Sequence, residues 1–471
     1  MRYQGIAEKI IDDISHKKLA QGSRMPSLRK LAQQFDVSMT TAINTYHHLE
    51  ELGWIIAKPQ SGFYVSQPLL SSQTPALPQF RSQPKSLAFR ESEIDYLTGL
   101  QQPGPLGISQ LGPSMMPIES LQRSMKRGLK RLDQQLCSYP DRQGDPALRK
   151  ALAQHFSNQG FPFKDEELVI TGGCINAVRM ALETVSGPGD TIAVNSPCFS
   201  GLLELLAELD RQVIEIPSTD EGVDLDQFEH LLQATTIKAG LFSTSHMNPQ
   251  GISMSAQQKQ RLAELANQYQ TPVIEDDIYI ELGQGKTLPL PAKHWDKGGF
   301  LLWCSSVSKT LSAGLRLGWC LPGRFLNAYL HRHAVSHFGI STPVQAGLTD
   351  FISTGQYQSH LNKVRLTLQQ NLRDYRAFLM QTLPPDTAIS SPTGGMVLWL
   401  QIPGLNSKHL WKRAVQQQLD LRIGPAFTTL DLYQSYVRLN AGWPLDEAIQ
   451  SRLEHFSALV DQSLALDQPV P

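Results

Sequence analysis

The sequence predicts an α/β protein in two folded parts: a small helical module closed by a β-hairpin, then a large domain whose sheet is covered by helices. Three observations predict this. A chain of 471 residues exceeds what one hydrophobic core sustains, since cores stop growing near ~250–300 residues. Helical apolar spacing recurs in short blocks up to about Gly53 and gives way to alternation between Trp54 and Val65. From about Val169 to Trp319, short apolar runs alternate with helical segments, as strands and helices do in a parallel or mixed sheet.

The composition, 41% hydrophobic and 18% charged, is that of an ordinary globular protein. Met1 to Glu8 alternates polar and apolar residues, unlike a signal peptide, and no apolar run is long enough to span a bilayer. The expected location is therefore cytoplasmic, with no membrane partner. Five cysteines (Cys137, Cys174, Cys198, Cys304, Cys320) stand singly with no CxxC pair, which speaks against a disulfide framework or a structural zinc and for reduced thiols in the interior. A net charge of −1 excludes coating of nucleic acid by charge alone. Over residues 1–66, eight Lys/Arg stand against six Asp/Glu, a tilt too small to establish DNA binding without a motif.

The motif is present. Ile6, Ile10 and Ile14 form the apolar stripe of a first helix, which ends before Gly22. Ser27 is placed to cap a second helix through Leu28, Leu31, Ala32 and Phe35. After a tight turn at Asp36-Val37-Ser38, Ser38 caps a third helix with the apolar face Ile43, Tyr46 and Leu49, closed by Leu52 and Gly53. Trp54 to Val65, broken at Pro59-Gln60-Ser61-Gly62, reads as a hairpin. Two helices joined by a tight turn and followed by a hairpin make a winged helix-turn-helix, whose third helix enters a major groove. Ser38, Thr40, Thr41 and Asn44 would then face base edges. Arg29 and Lys58 would meet phosphates, with Gly62 beside them in the wing. A plain three-helix bundle with a solvated polar face is the bland alternative.

Residues 22–32, 37–41, 46–50 and 58–65 resemble the GntR-type winged helix almost position for position, with Asn44 where many relatives carry arginine. Behind this module (1–66), residues 67–93 are rich in Pro, Ser and Gln without hydrophobic period, and are expected to be a flexible linker covering up to roughly 3 Å per residue. The remaining segment, 94–471, is the expected effector domain.

Within it, strands are expected at Leu168–Thr171, Thr191–Val194, Gln212–Ile216, Ala239–Phe242, Pro272–Ile274 and Phe300–Cys304, with working groups on the loops that follow. Thr171-Gly172-Gly173-Cys174 is a Gly-rich turn entering a helix, a phosphate cradle of backbone N–H groups that by itself is often only a turn. Asp276, behind an apolar run, is able to pair with a protonated pyridine nitrogen; alone it reads more readily as a helix cap in a surface loop. Ser305-Ser306-Val307-Ser308-Lys309, with Arg316 seven residues on, sets an imine-forming amine beside a phosphate clamp.

Together these pieces resemble the fold-type-I aminotransferases over Leu106 to Leu464, in the same chain order. The resemblance implies a large α/β domain, a smaller C-terminal α+β domain and pyridoxal 5'-phosphate (PLP) as cofactor. It implies that Lys309 holds PLP as a Schiff base, Asp276 pairs with the ring nitrogen, and Tyr279 and Asn248 bond the ring's 3'-oxygen. Phe199 stacks on the ring. The phosphate falls to Gly173, Cys174, Ser306, Ser308 and Arg316, with Tyr139 reaching across from a second subunit. Arg438 grips the carboxylate of an amino-acid ligand. Ala313 and Gln250 depart from the proline and threonine common among relatives.

A winged helix, a linker and an aminotransferase-like domain in that order resemble the MocR-type branch of the GntR family. The resemblance implies a head-to-tail homodimer that binds operator DNA and senses an amine or amino acid through its PLP pocket. Two other classes remain open: a working aminotransferase with an auxiliary DNA-binding domain, and a pair of inert interaction modules.

Overall fold

Apolar spacing builds the N-terminal module much as its periodicity predicts. In the computed structural model, which describes residues 2–15, 18–20, 22–51, 54–58, 62–65, 73–87, 104–234, 237–285 and 287–467, helix α1 spans Arg2–Ser15, α2 Leu28–Gln34 and α3 Met39–Glu51. Ser27 caps α2, its hydroxyl accepting from the N–H of Lys30. Ser38 does the same for α3, accepting from the N–H of Thr41 at 3.1 Å. Ile6, Ile10, Ile14, Leu31, Tyr46 and Leu49 close on Ile55 and Val65 in one core. The hairpin pairs β1 (Ile55–Lys58) with β2 (Gly62–Val65). Its tip at 59–61, and the expected end of α3 at Leu52 and Gly53, lie outside the described residues.

One expectation fails in α3. Ile43 is 37% exposed, and the position facing the core is the fully buried Ala42. The helix turns by 100° per residue, so a core face through Tyr46 and Leu49 extends back to Ala42. Ile43 is left on the side that carries Thr40 and Asn44.

The chain divides into two compact units, Met1–Gln73 and Thr74–Pro471. In the second, the large lobe is a sheet ordered β3-β6-β5-β8-β9-β10-β11-β4, with β7 paired to β6. The strands are β3 Lys85–Ser86, β4 Val169–Thr171, β5 Thr191–Ser196, β6 Gln212–Thr219, β7 Gly222–Val223, β8 Ile237–Phe242, β9 Val273–Asp276, β10 Leu301–Ser306 and β11 Gly318–Leu321. The neighbours from β6 through β10 are parallel, whereas β11 runs antiparallel to both β10 and β4.

Alternate residues point to opposite faces. Ile192, Val194, Ile274 and Leu302 meet the helices 174–185 and 200–208. Ala193, Ile214, Val273 and Leu301 meet helix 256–268, and Trp303 and Trp319 pack under helices 146–157 and 342–353. Burial on both sides explains why these strands read as continuous apolar runs.

The small lobe is a four-stranded antiparallel sheet ordered β12-β13-β15-β14 (β12 Ala388–Ile389, β13 Val397–Gln401, β14 Arg422–Ile423, β15 Tyr436–Asn440), packed on helices 356–382, 407–416 and 447–467.

Part of the expected linker is not loose. Residues 67–72 and 88–93 lie outside the described residues, but 74–87 are laid along the second unit as a strap. Lys85 and Ser86 pair with Val213 and Gln212, and Ser82 Oγ donates to the carbonyl of Glu215 at 2.8 Å. Its bonds are made by backbone and short polar groups, which leave no hydrophobic period to read. Cys137 is also exposed, against the expectation of an interior thiol; the other four cysteines are buried.

Candidate functional site

The loops at the carboxyl ends of β4, β5, β8, β9 and β10 converge, as sequence order requires in a parallel sheet. At the end of β9, Asp276 is buried with the thiol of Cys174 donating to its Oδ1 at 3.1 Å. Burial pushes this carboxyl up from its usual range, against the pull of Cys174 and Lys309. Glu275 and Asp277, on the strand's other side, belong to a buried polar layer. Thr244 Oγ1 donates to Glu275 at 2.5 Å, Trp303 Nε1 to Asp277 at 3.1 Å, and Lys259 Nζ to Ser245 Oγ at 2.7 Å. Burial, with Asp277 beside it, pushes the Glu275 carboxyl up from its usual range. This layer fixes the strand end that presents Asp276.

Lys309 follows β10. Its amine donates to the carbonyl of Ser109, and burial, with the nearby guanidinium of Arg438, lowers its pKa to about 8. Arg438, in β15 of the small lobe, donates to the carbonyl of Gly107 and lies 5.9 Å from the ring centroid of Phe427. Two backbone carbonyls thus serve as acceptors for the Lys309 amine and the Arg438 guanidinium. The segment 104–112 that supplies them was missed by sequence reasoning, because carbonyls carry no residue signature. The one available signal was Gly107, where a Cβ would lie 2.1 Å from the carboxyl carbon of Asp420.

Tyr279 is buried with its hydroxyl facing Ser109 and Asn248, and burial raises its pKa to about 12. Asn248 Oδ1 and Ser308 Oγ are buried with no hydrogen-bond partner among the described residues. Buried polar atoms of this kind call for an acceptor or donor from a bound group. Gly173 precedes the helix Cys174–Val185 with φ +107, and a Cβ there would meet the Arg316 guanidinium at 2.9 Å. Arg316 itself adopts a left-handed conformation and donates to the carbonyl of Gly172 at 3.1 Å. Helix N-terminus, bare glycine and guanidinium form an anion cradle. Ser306 Oγ is used within it, accepting from the N–H of Ser308. Phe199, at the start of helix 200–208, packs against both the large-lobe core and the cluster of Trp399, Phe427, Tyr433 and Tyr436. Tyr139 stands apart at 90% exposure.

In the first unit, Arg29, Ser38, Thr40, Asn44 and Gly62 are exposed and Thr41 is half-buried. Ser38 Oγ and Thr41 Oγ1 are bonded to each other at 2.9 Å, which spends part of their hydrogen-bonding capacity on the helix itself. Met39, 43% exposed, joins Ile43 on this turn and adds apolar surface that the sequence reading did not assign to it. Lys58 ends β1, and its side chain lies outside the described residues.

The model of the family "aminotransferase class I and II" matches residues 108–449, and that of "bacterial regulatory proteins, gntR family" matches residues 2–65. The chain is 32% identical over 469 residues, 98% of its length and 100% of the relative's, to a protein described as the uncharacterized HTH-type transcriptional regulator YdcR of Escherichia coli (strain K12). It is 26% identical over 394 residues, 81% of its length and 94% of the relative's, to aromatic-amino-acid aminotransferase 1 of Thermococcus litoralis. Among solved structures, the multiple substrate aminotransferase from Thermococcus profundus shares its fold with a TM-score of 0.73 at 24% identity, over 81% of this chain and 96% of that one. The α-aminoadipate aminotransferase LysN from Thermus thermophilus does so with a TM-score of 0.72 at 21% identity, over 80% and 95%.

Proposed function

The chain belongs to the aminotransferase class I and II family and, over its full length, to the HTH-type transcriptional regulators of the GntR and MocR type; from that premise we propose that it is a PLP-dependent, DNA-binding regulator that senses an amino acid or related amine. The observation that carries the proposal is the amine of Lys309, lowered to about 8 and gathered with Asp276, Tyr279, Asn248 and Arg438 around buried polar atoms that await a ligand. No helix of the described residues is long and apolar enough to cross a membrane, which fits a cytoplasmic regulator.

When bound, PLP supplies an aldehyde that condenses reversibly with primary amines and a ring that takes up electron density. Every residue around it has a task. Lys309, largely neutral just above pH 8, offers the amine that holds the cofactor and that an incoming amine displaces. Asp276 would hold the proton at the ring nitrogen, which would reverse the upward push that burial gives its carboxyl. Tyr279 and Asn248 orient the ring through its hydroxyl oxygen, and Phe199 covers its face. Gly173, Cys174, Ser306, Ser308 and Arg316 take the phosphate, the contribution of Cys174 being its backbone N–H because its thiol is committed to Asp276. Arg438 selects ligands that carry a carboxylate, exchanging the carbonyl of Gly107 for a bidentate anion.

The DNA face is Ser38, Thr40, Thr41 and Asn44 with Arg29, Lys58 and Gly62, and the exposed Met39 and Ile43 fit contacts with thymine methyl groups. Exposed Leu129, Leu136, Val335 and Phe338 support a homodimer in which Tyr139 reaches the partner's phosphate site head to tail.

Lys309→Ala is expected to abolish the visible absorption that depends on the bond between this lysine and the cofactor, any borohydride-trappable adduct on this side chain, and with them the response to amino acids, while the first unit keeps its own calorimetric unfolding transition. A wild-type spectrum in that variant would overturn the reading. The same pocket permits transamination, so multiple turnover with an amino acid and a keto acid would instead favour an enzyme with an auxiliary DNA-binding domain.

A further inference from the structure

The strap at residues 74–87 touches both lobes. On the large lobe it is held by the pairing of β3 with β6, by Ser82 Oγ to the carbonyl of Glu215 and by the N–H of Glu215 to Ser82 Oγ at 2.9 Å. Gln79 Nε2 donates to Ser218 O at 3.3 Å and Gln227 Nε2 to Phe80 O at 3.0 Å. On the small lobe, the N–H of Ala76 donates to Gln401 Oε1 at 2.8 Å and the Tyr436 hydroxyl to Ala76 O at 2.9 Å. Lys85 Nζ donates to Thr429 O at 2.7 Å.

These small-lobe anchors sit next to the ligand-gripping arginine. Tyr436 and Arg438 are two residues apart on β15 and so share a face, and Gln401 is the register partner of Tyr436. Thr429 lies two residues beyond Phe427, whose ring faces Arg438 and whose carbonyl accepts from the N–H of Cys198 at 2.7 Å. The carboxylate of Glu215, the residue whose main chain holds Ser82, accepts from Thr428 Oγ1 and Thr429 Oγ1 at 2.7 Å each. Eight residue steps along the chain separate Gln73, at the start of the strap, from Val65, the last described residue of the hairpin. From Val65 to Gln73 the chain has at most roughly 28 Å of contour, against roughly 90 Å for a connector free over 67–93.

We propose that the strap is the transmission element of the regulator, reading the position of the small lobe against the large one and passing it through the short tether to the DNA-binding module. The proposal rests on the reading of Arg438 as the carboxylate anchor. A ligand that engages Arg438 displaces the carbonyl of Gly107 and draws β15 with it. The strap's bonds to Gln401 and Tyr436 must follow, while those to β6 stay, together with that of Lys85 to Thr429, which Glu215 holds against β6. An amine without a carboxylate leaves the small lobe, and hence the strap, as it was.

The test uses the full-length protein loaded with PLP and two carbonyl-reactive probes: aminooxyacetate, which carries a carboxylate, and methoxyamine, which does not. Aminooxyacetate is expected to slow amide hydrogen exchange in residues 74–87 by about fivefold or more, and methoxyamine to leave it unchanged. With dyes at Gln33→Cys and Ser359→Cys in a Cys137→Ser background, aminooxyacetate is expected to shift energy transfer between the two units. Adding Lys85→Met and Tyr436→Phe should remove that shift while the cofactor's visible spectrum still responds. Spectral response without a change in strap exchange, equal effects of both probes, or a shift that survives the double variant would each overturn the proposal. A protein whose spectrum ignores both probes would instead overturn the functional reading on which it stands.

Discussion

The buried pocket around Lys309 and the exposed first turn of α3 are two candidate working surfaces built on opposite physical terms. In the pocket, side chains from five loops of one sheet and from a second lobe are buried against one another, and burial and close neighbours perturb them (Lys309 lowered, Asp276 and Tyr279 raised). On α3, a single exposed turn offers Ser38, Met39, Thr40, Ile43 and Asn44 to solvent, and what each one does depends on the partner that arrives. Burial fixes function within the chain; exposure defers it to the ligand.

The contrast breaks first, if it is wrong, at Asp276. If Asp276 is the buried partner of a charged ring nitrogen, Asp276→Ala costs roughly 3–5 kcal/mol, so PLP affinity measured by absorbance titration should fall by about two to four orders of magnitude while thermal unfolding of the first unit is unchanged. Leu49→Ala is the reciprocal cut. It empties a fully buried position in the core of the small module and should destabilise that module by about 2–5 kcal/mol, read as an early calorimetric transition with the cofactor's absorption intact.

A smaller effect is expected from Asn44→Ala, about 1–3 kcal/mol of operator affinity at one base position. Arg29→Ala should instead weaken all sequences alike and lower the salt slope by about one. The pH dependence sharpens the pocket side. Because Lys309 is lowered to about 8 from 10.5, its neutral fraction grows about tenfold per unit below that value and levels off above it. The rate of PLP capture by the cofactor-free protein should rise and flatten accordingly; a rate that keeps climbing to about pH 10 would mean an unperturbed lysine.

The same contrast explains what was legible in the sequence. The strands β4, β5, β6, β8, β9 and β10 were readable because burial on both faces turns them into apolar runs between loops. Lys309, Asp276 and Arg316 stood out as candidates because the chemistry proposed for them would demand particular residue types at fixed offsets. The carbonyls of Gly107 and Ser109 were not, since any residue supplies a carbonyl. Nor was the strap, whose anchors Ala76, Ser82 and Lys85 form no pattern and find their partners more than a hundred residues away. Ile43 was misplaced for a related reason: apolar spacing finds the stripe of a helix, but a residue 100° away can be apolar because it meets a ligand rather than a core.

β3 carries one more consequence, for anyone who cuts the gene. β6 is covered at one end by Lys85–Ser86 and at the other by β7. A fragment begun at residue 94 would strip the first of these covers and leave bare amides along an outer strand, an invitation to stack against a neighbouring molecule. Begun at residue 74, the fragment would carry its own hem.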